Sequence, residues 1–184
     1  MATATKQKAD TCLHRMSIAM MAASLKNLDR ILAKAEKHAA RNKVEREVLL
    51  QARLYPDMFS LLQQLQYACF IPVDLAQHFS DAKPPRVGYD ETTWAELRQS
   101  IANTIAYLGK IDPQRVAARA RVMVPLFYDS NRGAPAADYA ATVTIPDFFF
   151  HLTVAYAILR HNGVPLGKGD FLGTVRARPM PDVK

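Results

Sequence analysis

The spacing of apolar residues predicts four long helices, and the first of them runs from Ser17 to Ala40. Within this segment apolar side chains recur every three or four residues, which places them on one face of a helix. Basic residues fall on the opposite face, and we interpret this charged stripe as solvated surface, since an amphipathic helix needs a polar side. The apolar face is formed by Ile18, Met21, Leu25, Leu28, Leu32, Ala35 and Ala39.

Two prolines delimit the predicted second helix. Pro56 suits the first turn of a helix, so we expect the helix to begin there and to reach Phe70 or beyond. Pro72 should kink or end it, because proline lacks an amide proton and clashes with the preceding turn. On this helix Asp57 and Gln64 would share one stripe, where they interrupt an otherwise apolar side.

The third predicted helix is followed by a stretch of β character. Asp90 is well placed to cap a helix whose apolar positions extend over residues 94–108. Residues 121–128 then alternate between apolar and polar, and residues 139–145 are rich in β-branched side chains, with turn-forming residues between the two segments. These features predict a β-hairpin or a structured loop between the third and fourth helices.

The fourth predicted helix is almost wholly apolar and carries the most informative polar residues of the chain. It begins at Pro146, which suits a first turn, and ends near His161, before a Gly163 that suits a left-handed cap. Asp147 and His151 are four residues apart, so they share one face of this helix. Polar groups on such an apolar helix mark a candidate site.

The chain is long enough for one compact core. Its 184 residues, 49% of them apolar and without an internal repeat, predict a mainly α protein with a single four-helix bundle over residues 16–173. Residues 1–15 and 174–184 show no hydrophobic periodicity, and we expect both to be flexible extensions. Met16 offers an alternative native start of the chain.

The net charge does not point to nucleic acid. The formal charge is +7, but each predicted extension holds three basic residues and one acidic residue, so the helical domain carries only +3. The chain also lacks the arginine-rich motifs and aromatic platforms that nucleic-acid modules use. We therefore expect no nucleic-acid partner.

Cysteine content and hydropathy favour a cytoplasmic protein. Cys12 and Cys69 are too few for a disulfide framework and belong to no Cys/His cluster typical of zinc, which favours a reducing compartment. The apolar run that follows Met16 continues with helical spacing beyond the length of a signal-peptide core. Because no run approaches the ~18 apolar residues of a membrane span, we expect no membrane partner.

Four stretches of the sequence resemble a known group of bacterial proteins. They are MSIAMMAASLKNLDRILAKA from residue 16, ARLYPDMFSLLQQLQ from residue 52, DETTWAEL from residue 90, and DFFFHLTVAYAILRHNGVPLGKGDFLG from residue 147. The group is the DinB-like/YfiT-like superfamily of metalloenzyme-type helical bundles, and within it an uncharacterised branch known only as a domain of unknown function. The resemblance implies a four-helix bundle that is commonly dimeric, with no demonstrated activity.

The resemblance also implies a metal site, from which this sequence departs. Better-known relatives bind a divalent metal through three histidines, one on the second helix and two on the fourth, and some act on adducts of small thiols. Here His151 resembles one fourth-helix position, but Ala155 stands four residues later, where the second histidine would be. The predicted second helix offers Asp57 and Gln64 in place of a histidine. Asp57, Asp147 and His151 are the candidate ligands for a divalent metal such as zinc, nickel or manganese.

Two interpretations of these residues are open, beside a third in which the protein serves structural self-association alone. In the one we favour, Asp57, Gln64, Asp147 and His151 form a polar pocket in a cytoplasmic homodimer that binds a small molecule or a partner protein. For His151 by itself we favour a packing role, as a core histidine whose ring nitrogens bond to other buried groups. Gln64 is the most interesting partner, and a hydrogen bond between the two would satisfy both side chains without any ligand. In the alternative, a metal held by Asp57, Asp147 and His151 activates a water or a thiolate, in a transferase or isomerase that acts on small thiol adducts.

The segment VPLGKGDFLG, residues 164–173, is not a phosphate-binding loop. Such a loop follows a strand and ends in Lys-Ser or Lys-Thr at the start of a helix, whereas this segment follows a helix. We predict instead that Phe171 and Leu172 fold back as an apolar latch against the helices.

Overall fold

The computed structural model describes residues 12–174 together with residues 177 and 180. Most of the two predicted flexible extensions therefore lies outside the described residues. The exception is the end of the first extension, where residues 12–16 form a short helix instead of an aperiodic segment.

The described residues form four long helices, several short ones and one antiparallel hairpin. This confirms the prediction of a mainly helical fold with a small β element, although the helices outnumber the four predicted. In chain order the elements are α1 (Cys12–Met16), α2 (Ile18–Arg41), α3 (Arg46–Leu50), α4 (Leu61–Gln77), α5 (Trp94–Leu108), α6 (Pro113–Arg119), β1 (Met123–Leu126), β2 (Asp129–Pro135), α7 (Ala136–Tyr139), the π-helical turn Ala140–Thr144, α8 (Ile145–His161) and α9 (Lys168–Leu172).

The four long helices pack against one another around one connected apolar core. Helix α4 is central, because it lies against both α8 and α5, while α2 contacts all three. The apolar face predicted for the first helix is the buried face of α2. The largest fully buried side chains of the core include Met21, Phe79, Trp94, Tyr139 and Phe148.

Helix α4 begins later and ends later than the prolines predicted. Ser60 caps it: its hydroxyl accepts a hydrogen bond from the Gln63 amide, and the Gln63 side chain accepts one from the Ser60 amide at 3.0 Å. This reciprocal cap satisfies free amides that Pro56 could not, so residues 51–59 form turns. Pro72 lies buried inside the helix, which continues to Gln77. Its packing against α5 and α8 offsets the hydrogen bond that a proline cannot donate.

Helix α5 is capped by a different residue from the one predicted. Thr93, not Asp90, accepts the hydrogen bond from the Glu96 amide, and the Glu96 carboxylate accepts the Thr93 amide at 2.9 Å. After the end of α5, Asp112 caps a further short helix that begins at Pro113, and its carboxylate accepts a hydrogen bond from the Gln114 amide at 2.9 Å.

The hairpin is present, but the β-branched segment 139–145 does not belong to it. Strands β1 and β2 pair antiparallel, and the chain then runs as one helical stretch from Ala136 to His161, with a π-helical turn just before Pro146. The fourth helix therefore begins at Ala136, ten residues before its predicted start at Pro146. Its buried residues Tyr139, Ala140 and Thr144 face the core, and this burial overrides the weak β preference of Thr and Val.

The stretch Ala136–His161 is, among the described residues, one candidate for a membrane span by length and composition alone. Core helices of soluble proteins pass the same test. In this structure the stretch buries Phe148, Leu152 and Ile158 in the core and packs along α4.

Half of the predicted apolar latch is present. Phe171, on α9, packs its ring edge-to-face against Tyr156 at 5.8 Å between centroids, and its carbonyl accepts a hydrogen bond from Asn27 at 3.0 Å. Leu172 is exposed and does not take part. Gly163 has a φ of +85°, which agrees with the left-handed conformation predicted after the fourth helix.

Candidate functional site

A buried hydrogen bond joins the polar residues of the two central helices. His151, on α8, is 5% exposed, and Gln64, on α4, is 1% exposed. Nδ1 of the imidazole lies 2.7 Å from Oε1 of Gln64, while Nε2 of Gln64 donates to the carbonyl of Phe59 at 3.3 Å. Because a carbonyl only accepts, the amide nitrogen of Gln64 must face Phe59 and its oxygen must face the imidazole. Nδ1 of His151 therefore carries the proton.

This tautomer leaves the second ring nitrogen available. Nε2 of His151 lies 3.4 Å from Oδ1 of Asp147, one turn earlier on α8, and the Asp147 side chain is 30% exposed. In the neutral imidazole Nε2 then carries a lone pair beside a carboxylate, so both groups are hydrogen-bond acceptors. The pair can therefore accept a hydrogen bond from a donor group of a ligand.

Aromatic rings cover the imidazole on the side that faces solvent. Tyr67 stacks on His151 with centroids 4.7 Å apart and an interplanar angle of 16°. The ring of Phe59 is nearly parallel to both, with its centroid 6.2 Å from His151 and 5.3 Å from Tyr67. Several of these rings are exposed, so the site lies beneath partly exposed aromatic side chains and not deep in the core. We call the connected rings the aromatic cluster: Phe59, Tyr67, Phe70, Tyr89 and Phe150.

A second group of polar side chains lies next to the first and shares Asp147 with it. The Tyr139 hydroxyl donates to Oδ2 of Asp74 at 2.8 Å. Burial, followed by the negative charge of Asp74, raises the pKa of the Tyr139 hydroxyl far above its usual range, so it stays protonated at neutral pH. Asp74, Tyr139, Thr144 and Asp147 line a small cavity of about 10 Å³, which we call the carboxylate pocket.

The carboxylate pocket contains an unpaired polar atom. Thr144 is 3% exposed, and within the described part of the chain its hydroxyl oxygen has no hydrogen-bond partner. Buried hydroxyl groups almost always have a partner, so this one is available to a ligand or to a water. Aromatic side chains complete the lining of the pocket: Tyr67, Phe70 and Phe127.

Three of the four predicted site residues come together, and Asp57 does not. Gln64, Asp147 and His151 are in contact, whereas Asp57 is exposed in the turn before α4 and has no hydrogen bond or ion pair to any of them. Its placement on the Gln64 stripe was wrong because the helix starts after Ser60. Asp147 lies inside the helical stretch, eleven residues after its start at Ala136.

The three candidate metal ligands are consequently not brought together. Over residues 12–174, 177 and 180, no group of three His, Cys, Asp or Glu side chains is close enough to hold one ion. His151 and Asp147 supply two adjoining groups, whereas a metal centre of the kind found in the relatives needs three protein ligands.

Asp74, Tyr139 and Thr144 are site residues that the sequence reasoning missed. A signal for Asp74 existed: Gln64, Tyr67, Ile71 and Asp74 are spaced by three, four and three residues, which is one stripe of a helix. This stripe was missed because we expected the helix to end at Pro72. Tyr139 and Thr144 fell in the segment interpreted as β, so their position on the face of Asp147 and His151 could not be seen.

Replacing Tyr139 with phenylalanine tests the hydrogen bond to Asp74. We expect Tyr139→Phe to lower the free energy of unfolding by about 1 to 3 kcal/mol, since a buried hydrogen bond to a charged group is lost. Urea unfolding measures this. Tyr55→Phe is the matched control, because Tyr55 is 66% exposed, and its effect should stay within about 0.5 kcal/mol. Equal effects of the two substitutions would contradict the assignment.

Comparison with known proteins gives the family of the chain. Residues 13–172 match the family described as "Domain of unknown function (DUF1993)". No curated protein matches the chain. Among solved structures, the fold is similar to the crystal structure of a DinB family member protein from Shewanella denitrificans, with 34% sequence identity and a TM-score of 0.87 over 94% of this chain and 98% of that one. The chain therefore belongs to the DUF1993 family, a branch of the DinB-like proteins whose function is unknown.

Proposed function

We propose that this protein is a cytoplasmic homodimer that binds a small molecule at His151, with its four long helices serving as a four-helix-bundle scaffold. The observation that carries the proposal is the imidazole itself: Gln64 holds Nδ1, and Nε2 is directed at the carboxylate of Asp147 beneath partly exposed rings. With the ring proton on Nδ1, Nε2 faces only an acceptor, the Asp147 carboxylate, so this nitrogen can accept a hydrogen bond from a ligand.

The aromatic cluster supports both binding and self-association. Tyr89 and Phe150 are more than half exposed; Tyr89 packs against Tyr67, and Phe150 packs against the imidazole of His151. Connected apolar surface of this kind marks ligand sites and protein interfaces, because its burial is favourable. A ligand seated at His151 would lie beside these rings, and a second copy of the chain would cover those that the ligand leaves exposed.

The alternative is a divalent-metal-dependent transferase or isomerase acting on small thiol adducts. It has less support, because His151 and Asp147 are two groups where a working centre needs three protein ligands, and Ala155 replaces the second histidine of the relatives. Its support is the fixed tautomer, since histidines that bind metals commonly donate their other nitrogen proton to a neighbouring acceptor, as His151 does to Gln64.

A titration with a panel of small aromatic and aliphatic fragments tests the binding proposal. Followed by amide NMR on the full-length protein, it should reveal binders that shift the signals around His151 and Gln64. His151→Phe keeps the stacking on Tyr67 but removes Nε2, so the affinity of these binders should fall by at least about tenfold. His161→Phe is the matched control, because His161 is an exposed histidine at the end of the same helix. A panel without binders, or equal losses in both variants, would refute the proposal.

Metal analysis tests the alternative separately. Protein purified without an affinity tag and resupplied with zinc, nickel or manganese should hold less than about a tenth of an equivalent if no metal centre exists, since a working centre is close to stoichiometric. Near-stoichiometric metal that is lost in His151→Phe and kept in His161→Phe would establish the alternative instead.

A further inference from the structure

We propose that the carboxylate pocket, formed by Asp74, Tyr139, Thr144 and Asp147, binds the ammonium group of a primary amine. The inference rests on the proposed small-molecule function and names the chemical class of the ligand. The pocket adjoins the His151 site, because Asp147 pairs with His151 and Tyr67, which also lines the pocket, stacks on the same imidazole.

The negative charge of the pocket favours the binding of a cation. Asp74 and Asp147 both line it, and within the described residues neither forms an ion pair with a lysine or an arginine. Asp74 accepts hydrogen bonds only from neutral groups, the Tyr139 hydroxyl and the Gln77 amide, the latter at 3.1 Å. Because both carboxylates line one small pocket, a cation bound there would be attracted to both.

The size and the acceptors of the pocket fit one ammonium group. Its volume of about 10 Å³ holds a single water-sized group. An ammonium group has that size and carries three N–H donors. Three residues with acceptor groups line the pocket: Asp74, Asp147 and Thr144. Thr144 is 3% exposed, and its hydroxyl oxygen has no partner among the described residues. The unpaired hydroxyl is the observation that two neighbouring acidic residues alone would not supply.

The remaining lining favours an organic cation over a metal ion. Tyr67, Phe70, Phe127 and Tyr139 place aromatic rings around the pocket, and such rings attract ammonium groups through their faces. A hard metal ion such as Mg²⁺ or Ca²⁺ needs six or more oxygen ligands, which aromatic rings do not provide. Phe127 is 52% exposed, so the carbon chain of the amine can leave the pocket past this ring and lie along the aromatic cluster.

A calorimetric titration with 2-phenylethylamine and its neutral counterpart 2-phenylethanol tests the inference. On the full-length protein at pH 7 and low salt, the amine should bind at least about tenfold tighter than the alcohol, because only the amine brings a charge to the two carboxylates. Asp74→Asn and Thr144→Val should each weaken the amine by at least about threefold and leave the alcohol unchanged. Asp138→Asn is the matched control, since Asp138 is an exposed acid on the same helical stretch, and it should leave both affinities unchanged.

The outcomes separate this inference from the proposed function. Equal affinities for amine and alcohol, or an amine affinity that survives both Asp74→Asn and Thr144→Val, would overturn the ammonium site. If fragments still bind at His151 in that case, the small-molecule function stands and only the ligand class is wrong. If neither probe nor any fragment of the panel binds, both proposals fail together. Thr144→Val has nearly the same shape as the native residue, so it keeps the test informative even if Asp74→Asn does not fold.

Discussion

Gly88→Ala is expected to lower the free energy of unfolding by about 2 to 5 kcal/mol, one of the largest effects of any single substitution outside the core. Gly88 has a φ of +100°, a conformation that side chains with a Cβ rarely adopt. A Cβ built there would lie 2.9 Å from Cβ of Phe70 and 3.2 Å from the carbonyl oxygen of Gln66. Both atoms belong to α4, so the loop would have to move away from the central helix.

That movement would also break the buried hydrogen bonds that hold the loop in place. The Gly88 amide donates to both carboxylate oxygens of Glu91, at 3.0 and 3.2 Å, and Ser100 of α5 donates its hydroxyl to the same carboxylate. Because Phe70 and the neighbouring Tyr89 are members of the aromatic cluster, the substitution should loosen the packing of the loop and of the aromatic cluster together.

Urea unfolding with a matched glycine measures this effect. Gly169→Ala is the control, since Gly169 lies in helix α9 with no atom within 4 Å of its built Cβ. We expect that substitution to be neutral or to stabilise by up to about 1 kcal/mol, the helix preference of alanine over glycine. A Gly88→Ala protein as stable as the wild type would show that the loop relieves the contact without cost.

The second large effect is expected at the Gln64–His151 pair. Gln64→Leu should cost about 1 to 3 kcal/mol, because it leaves the Nδ1 proton of His151 without an acceptor in a buried position. His151→Phe should cost a similar amount for the complementary reason, since the oxygen of Gln64 loses its donor. The double variant replaces both partners by apolar groups, so its cost should be smaller than the sum by at least about 1 kcal/mol.

The double-mutant cycle has a control and an independent readout. Gln99→Leu removes an exposed glutamine from α5 and should change stability by no more than about 0.5 kcal/mol. Nitrogen-15 NMR of the imidazole should report the Nδ1-protonated tautomer in the wild type, and Gln64→Leu should release the preference. Additive costs in the cycle, or a wild-type ring protonated at Nε2 alone, would show that Gln64 does not hold His151.

Sequence patterning accounts for most of the helices and for the centre of the site. A buried polar residue on an apolar helix face needs a partner on the facing helix, and this reasoning placed Gln64 opposite His151. The same reasoning failed for Asp57, because the choice between Pro56 and Ser60 as a helix start depends on which cap is satisfied. A pattern of apolar positions does not contain that information.

The second half of the site depended on how helices behave when they are packed. Pro72 would end an isolated helix, yet α4 continues past it to Asp74 because two neighbouring helices hold its apolar faces. Residues 139–145 have β-branched side chains typical of strands, yet they continue a helix for which the core supplies burial. Both features lie at the carboxylate pocket, which is why it was not visible in the chain.

By itself the sequence determined the mainly helical class, the apolar faces of the long helices and a short β element before the fourth helix, because local spacing encodes these features. The family followed from the resemblance of the four quoted stretches to a known group. Only the tertiary structure decided that Asp147 lies beside the imidazole and that Asp57 lies apart from it. It also decided that Asp74, Tyr139 and Thr144 line one small cavity. The physical reason is that caps, helix continuation past a proline and cross-helix contacts are set by small free-energy differences, which packing between distant segments determines.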